Sequence, residues 1–177
     1  MTRQPVVVVG IGNPFRTDDG IGPAIIELLD ERIVTVNTSP GSVDYDTVQL
    51  DGEPTRVIEA WDQRRLAVIC DAVCWGAQPG TVHEATIADL DGIAPPESPA
   101  SSHAAGVAEA VALGQALGRM PDRLIVVGIE PASVAFGHRL TPEVAGSLGV
   151  VLDRILFLVN GDSANREPAS RAQKSAS

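Results

Sequence analysis

Val6-Val7-Val8-Val9-Gly10-Ile11-Gly12-Asn13-Pro14-Phe15-Arg16-Thr17-Asp18-Asp19-Gly20-Ile21-Gly22-Pro23 decides the fold. Four consecutive valines with no polar alternation are the signature of a strand buried on both faces. The run stops at Gly10 and Gly12, which together read as a sharp turn. From Gly20 to Glu31 apolar residues recur at helical spacing (Ile21, Ala24, Ile25, Leu28, Leu29), and Pro23 is compatible only with the first helical turn. A strand, a tight loop and a helix in this order form half of an α/β unit, and loops of this kind usually build a site.

Working outward, further segments follow the same grammar. Ile33–Val36 reads as a short second strand, and Pro40-Gly41-Ser42 as a turn. Tyr45, Val48 and Leu50 form a weak pattern without a firm assignment. Glu53 to Ala60 reads as a helix, and Leu66 to Cys70 as a third buried strand ending at Asp71. After a turn at Ala77-Gln78-Pro79-Gly80, Thr81 to Ile87 reads as an edge strand. Gly92 to Ser102 is rich in Pro, Ser and Ala and reads as a loop.

Ala104 to Leu117 is predicted helical with Val107, Ala108, Val111 and Leu117 inward. Leu124 to Ile129 is a further buried strand, ending at Glu130-Pro131. Thr141 caps a last helix with the stripe Val144, Leu148, Val151, Leu152 and Ile155. Buried strands alternating with amphipathic helices give an α/β fold. It is a single domain over residues 1–159, with a twisted, mostly parallel sheet of about five strands and helices on both faces. Residues 160–177 are polar and small and are expected to form a disordered tail.

Composition narrows the function. A formal net charge of −10 argues against nucleic acid and against anionic membrane surfaces. The N-terminus shows no charged-then-apolar leader and Val6–Val9 is too short to span a bilayer, which predicts a cytoplasmic protein. The two cysteines, Cys70 and Cys74, suggest no disulfide framework, and Cys70 reads as a core thiol.

The carboxyl ends of the strands in such a sheet carry the ligand site. They hold Gly10 to Asp19, Asp71 and Glu130. A dinucleotide fingerprint fails, because the third glycine position falls on Phe15 and two acids follow in the loop. No Gly-Lys-Ser/Thr makes a phosphate loop. Ser102 and His103 are neighbours without a nucleophile elbow. Of the three histidines (His83, His103, His138), His103 lies at a helix start next to a loop. Asp18, Asp19, Asp71 and His103 could supply an imidazole and carboxylates to a borderline divalent ion such as Ni²⁺ or Zn²⁺. The same residues also read as helix caps, a turn cap and a solvated helix start, and spacing alone does not choose.

Gly10-Ile11-Gly12-Asn13-Pro14-Phe15-Arg16-Thr17-Asp18-Asp19-Gly20-Ile21-Gly22 resembles the G-x-G-N-x-x-x-x-D-[DE]-x-x-G signature of the hydrogenase maturation endopeptidases. Cys70-Asp71-Ala72-Val73 with Pro79-Gly80, Ser102-His103-Ala104-Ala105-Gly106-Val107 and Val127-Gly128-Ile129-Glu130-Pro131 follow in the family's order. The resemblance runs from about Val6 to Ile155. It implies a mostly parallel sheet with helices on both faces. It also implies hydrolysis of one peptide bond near the C-terminus of a nickel–iron hydrogenase large-subunit precursor, after nickel insertion.

Its metal-contacting positions map onto Asp19, Asp71 and His103, with nickel supplied by the precursor as the recognition anchor. Which group serves as general base is left open. Asp18, Gly10, Gly12 and Asn13 fall to structural support of the loop, and the protein is expected to be monomeric. The second acid is often Glu in the family; Asp19 is one methylene shorter. A D-G-G-T-like segment expected after the second strand is replaced by Asn37-Thr38-Ser39-Pro40-Gly41. The competing class is a non-catalytic maturation factor of the same fold that binds metal or hydrogenase without cutting.

Overall fold

The computed structural model describes residues 5–36, 45–90 and 102–164. Five strands form one sheet: β1 (Val6–Ile11), β2 (Asp46–Leu50), β3 (Leu66–Ala72), β4 (Val82–Thr86) and β5 (Arg123–Ile129), in the order β2-β1-β3-β5-β4. All pairings are parallel except β4 with β5, which is antiparallel and puts β4 on an edge. The helices are α1 (Ile21–Val36), α2 (Pro54–Trp61), α3 (Ile87–Leu90), α4 (Ser102–Leu117), α5 (Pro142–Ala145) and α6 (Leu148–Ala164). A 3₁₀ turn over Thr17–Gly20 leads into α1.

The central strands are apolar throughout because both faces are covered. Val6, Val8, Val68, Cys70, Val127 and Ile129 pack with Ile21, Ile25 and Leu29 of α1 and with Val151, Ile155 and Val159 of α6. Their alternates Val7, Val9, Ile11, Ala67, Ile69 and Val126 pack with Val57, Ile58 and Trp61 of α2 and Val107, Ala110 and Val111 of α4. This is the period-two division of a strand between two cores. Burial of this aliphatic surface is the main favourable contribution to folding.

Several expectations are corrected. Ile33–Val36 is the end of α1, not a strand. The β-branched residues suggested a strand, but no Gly or Pro stands between Pro23 and Pro40 to stop the helix. The second strand is instead Asp46–Leu50, whose pattern is weak because it lies on the sheet's other edge and only Leu50 is fully buried. In α4 the inward stripe is Val107, Ala110, Val111 and Gly114, whereas Ala108 and Leu117 face solvent. The alanine-rich helix offered two similar faces. The last helix is broken at Gly146-Ser147 into α5 and α6. Ser147 is buried at the break, where its hydroxyl donates to the Gly80 carbonyl at 2.6 Å.

α6 carries through Asn160 to Ala164, so the helical body extends past the expected boundary at 160. Among the described residues, Pro142–Asp162 is long and apolar enough by composition to cross a membrane. Its apolar residues Val144, Val151, Leu152, Ile155, Leu158 and Val159 are buried in the core. The expected turn at Pro40-Gly41-Ser42, nearly all of the loop at Gly92–Ser102 and residues 165–177 of the tail lie outside the described residues.

Candidate functional site

β1 and β3 are neighbours, but the helices that follow them lie on opposite faces: α1 on one, α4 on the other. This reversal opens a crevice beyond their carboxyl ends, the place where open α/β sheets take ligands. Asp71 is the penultimate residue of β3, fully buried, and pairs with Gly128 of β5. The 3₁₀ turn that carries Asp18 and Asp19 packs against β3. Strand β1 and helix α1 meet through glycines. A Cβ on Gly22 would lie 2.2 Å from the Ile11 carbonyl oxygen and 2.7 Å from that of Cys70. Gly10 meets Gly22 from the other side and lies inside β1, so the turn itself belongs to Gly12 at φ +138°.

The two adjacent acids have different surroundings. Asp18 is fully buried. Its Oδ2 accepts from the backbone N–H of Ala132 and Ser133 at 2.9 Å each and from the Thr141 hydroxyl at 2.9 Å, while Oδ1 accepts from the Thr141 N–H at 2.7 Å. It pins the first loop to the loop after β5. Thr141 takes the N-cap position expected of it, but its hydroxyl goes to Asp18 and no side-chain cap bond forms at that helix start. Asp19 is nearly buried, and its Oδ2 accepts from the Asn13 N–H at 3.0 Å. Asn13 Oδ1 accepts from the Phe15 N–H at 2.9 Å, closing a local turn.

Glu130 is a site-edge residue to which sequence reasoning assigned no role. It is nearly buried and accepts from the N–H groups of Trp75 (3.1 Å) and Gly76 (3.0 Å), with His83 Nε2 at 3.3 Å. It therefore holds the loop that follows Asp71. The signal available was its position one residue past β5, the strand beside β3. Burial, and then the charges of Glu130 and Asp71, push the Cys74 thiol up. Burial, and then Asp71, push the Cys70 thiol up strongly. Both shifts favour the neutral thiol over the thiolate that nucleophilic catalysis uses.

His103 stands in the first turn of α4. A Cβ on Gly106, one turn further on, would lie 2.6 Å from the Gly52 carbonyl oxygen, in the loop after β2. That loop is at the same carboxyl edge, since the Gly12 N–H donates to the Leu50 carbonyl at 3.1 Å. The helix start is thus brought to the crevice, while the His103 side chain lies outside the described residues. Among the described residues, no three His, Cys, Asp or Glu side chains form a metal-holding group.

The family model described as hydrogenase maturation protease matches residues 51–157, more than half of the chain. The chain belongs to the hydrogenase maturation protease family. It is similar to the hydrogenase 2 maturation protease of Escherichia coli K12, at 29% identity over 85% of this chain and 88% of that protein. It is also similar to the hydrogenase expression/formation protein HupD of Thiocapsa roseopersicina, at 30% identity over 78% of this chain. The matched region spans only 60% of that protein, and 66% of the HupD of Rhodobacter capsulatus. The hydrogenase maturating endopeptidase HybD of Escherichia coli shares the fold, with a TM-score of 0.71 at 24% identity over 91% of this chain and 94% of the other. In this family member, therefore, the five-stranded sheet and its carboxyl-edge crevice form the frame on which the acids are carried.

Proposed function

We propose that this chain is an endopeptidase that removes the C-terminal extension of a nickel–iron hydrogenase large-subunit precursor after nickel insertion. The observation that carries the reading is the pair of buried carboxylates, Asp19 in the 3₁₀ turn that packs against β3 and Asp71 at the end of β3, with the first turn of α4 and its His103 at the same edge of the sheet. Two carboxylates and an imidazole are a donor set suited to a borderline divalent ion. In this reading Asp19, Asp71 and His103 hold the nickel that arrives with the precursor. The metal is part of the substrate, and it supplies Lewis-acid polarisation near the scissile bond.

The chain's own part is to bind and to orient. Gly12 and Asn13 fix the loop that carries Asp19, Asp18 ties that loop to the rest of the molecule, and Glu130 sets the loop after Asp71. A precursor without nickel lacks the anchor, which explains selectivity without a deep side-chain pocket. The reaction is assigned to the cytoplasm and to a monomer.

The test is release of the C-terminal peptide from nickel-loaded and nickel-free precursor. Release is expected only from the loaded form. Asp71→Asn and His103→Ala should each slow it by at least about a hundredfold, the scale of losing a few kcal/mol of transition-state stabilisation, with the circular dichroism spectrum unchanged. Equal release from nickel-free precursor would remove the anchor role. A normal rate in either variant would remove that residue's role. Tight binding without release would favour the non-catalytic maturation factor.

A further inference from the structure

All three phenylalanines of this chain are exposed, while the core among the described residues is aliphatic apart from Trp61 and Cys70. Two of them stand on loops that are bonded to each other beside Asp18 and Asp19. Phe15 is 59% exposed and lies four residues before Asp19; Phe136 is 92% exposed and lies on the loop after β5. Their exposure does not come from a loose backbone. The Gly137 N–H donates to the Phe15 carbonyl at 3.0 Å and the Thr17 N–H to the Gly137 carbonyl at 3.1 Å, a short parallel bridge between the two loops. Thr17 is held at φ +42°, a conformation that costs a β-branched residue energy, and its hydroxyl donates to the Ala135 carbonyl at 3.2 Å. The Arg16 Nε–H donates to the Val134 carbonyl at 3.2 Å.

An imidazole and a guanidinium lie against the rings. His138 meets Phe15 edge-on with centroids 5.2 Å apart, and the Arg16 guanidinium lies 5.9 Å from the Phe136 ring centre. Arg139, next in the chain after His138, is exposed. Residues 13–17 and 131–141 contain no Asp or Glu, and the adjoining Asp18 is fully buried. A rigid, aromatic and basic lip thus borders the crevice of a chain whose net charge is −10. Preorganised aromatic and arginine side chains of this kind act as interface anchors.

We propose that the Phe15–Phe136 lip is the docking face for the precursor, and that it takes a segment carrying an apolar side chain flanked by carboxylates. The proposal rests on the reading of the precursor as substrate. Charge complementarity selects the occupant: an acidic segment is repelled by most of this protein's surface and attracted at the lip. Cleavage then follows at the neighbouring acids.

The test titrates a labelled, nickel-loaded large-subunit precursor of a nickel–iron hydrogenase from the same organism against the full chain, and separately follows peptide release. The double variant Phe15→Ala/Phe136→Ala should bind at least about tenfold more weakly, with an unchanged melting curve, as expected for losing anchor residues. Arg139→Glu should weaken binding at low salt, and the difference should shrink as salt is raised. In turnover both variants should raise KM and leave kcat within about twofold. Equal affinity of the double variant and the parent would overturn the lip, as would failure of the parent to bind precursor. So would a parent dimer that the Phe136→Ala change dissociates, since the face would then belong to a second copy. Parent binding that the variants weaken, without any release of peptide, would support the lip and overturn the peptidase reading.

Discussion

At the residue scale, the reach of Asp19 is governed by Gly12. A Cβ on Gly12 would stand 1.8 Å from the Asp19 carbonyl oxygen, and φ is +138°, so both space and backbone conformation demand glycine. Gly12→Ala must push the 3₁₀ turn outward and move the Asp19 carboxylate with it. A displacement of about 1 Å in a reacting group is enough to cost on the order of a hundredfold in rate. The expected result is peptide release lowered by at least about tenfold together with a lower urea midpoint, since the clash has to be relieved somewhere. Gly149 shows that the same substitution has the opposite sign elsewhere. It lies in α6, is exposed, and a Cβ there meets nothing within 4 Å. Gly149→Ala should raise stability by about 0.5 kcal/mol through helix propensity and leave release unchanged. Urea unfolding of the two variants side by side checks both.

At the scale of elements, α2 carries a pH-dependent start. Glu53 is its N-cap, with Oε1 accepting from the Thr55 N–H at 3.1 Å and Oε2 from the Thr55 hydroxyl at 2.6 Å and the Arg56 N–H at 3.0 Å. The Thr55 hydroxyl, then the two N–H groups, hold the Glu53 carboxyl below its ordinary 4.5. The unfolded chain therefore takes up the proton first as pH falls. The cap's contribution is fully present above 4.5 and is lost as pH drops through the lower folded value. Glu53→Gln should differ from the parent in urea midpoint at neutral pH, and the difference should shrink as pH falls below 4.5 and vanish once Glu53 is protonated in the folded chain too. A difference that persists there would mean that shape, not charge, makes the cap. This helix was legible from sequence, with Pro54 near its start, as were the three central strands, whose unbroken apolar runs have one reading. Ile33–Val36 and Asp46–Leu50 were not. The first has strand-type residues on a helix that nothing interrupts, and the second is an edge strand that buries too little to show a period.

At the scale of the whole molecule, the crevice is assembled from segments far apart in the chain. The sequence order of Asp19, Asp71 and His103 at element ends was legible, because strand ends and helix starts can be placed from periodicity. The roles of Thr141 and Glu130 were not, because both depend on which strands become neighbours, and β4 entering antiparallel beside β5 is invisible in local pattern. Asp18 is the hinge of this assembly: its acceptors reach Ala132, Ser133 and Thr141, which lie 114 to 123 residues away. Residues 131–141, which carry those N–H groups, hold no carboxylate of their own. Asp18→Ala leaves them without the carboxylate and should lower stability by about 3 kcal/mol, the scale for opening a buried hydrogen-bond network. The sheet does not depend on that carboxylate, since its ladder and both cores are complete without it. Native-state hydrogen exchange should therefore separate the two levels. In the parent, the amides of Ala132, Ser133 and Thr141 should exchange slowly. In Asp18→Ala at low denaturant they should exchange through local opening, at least about tenfold faster than the Ile69 and Cys70 amides of β3. Uniform acceleration of all these amides would mean instead that the loop and the sheet open as one unit.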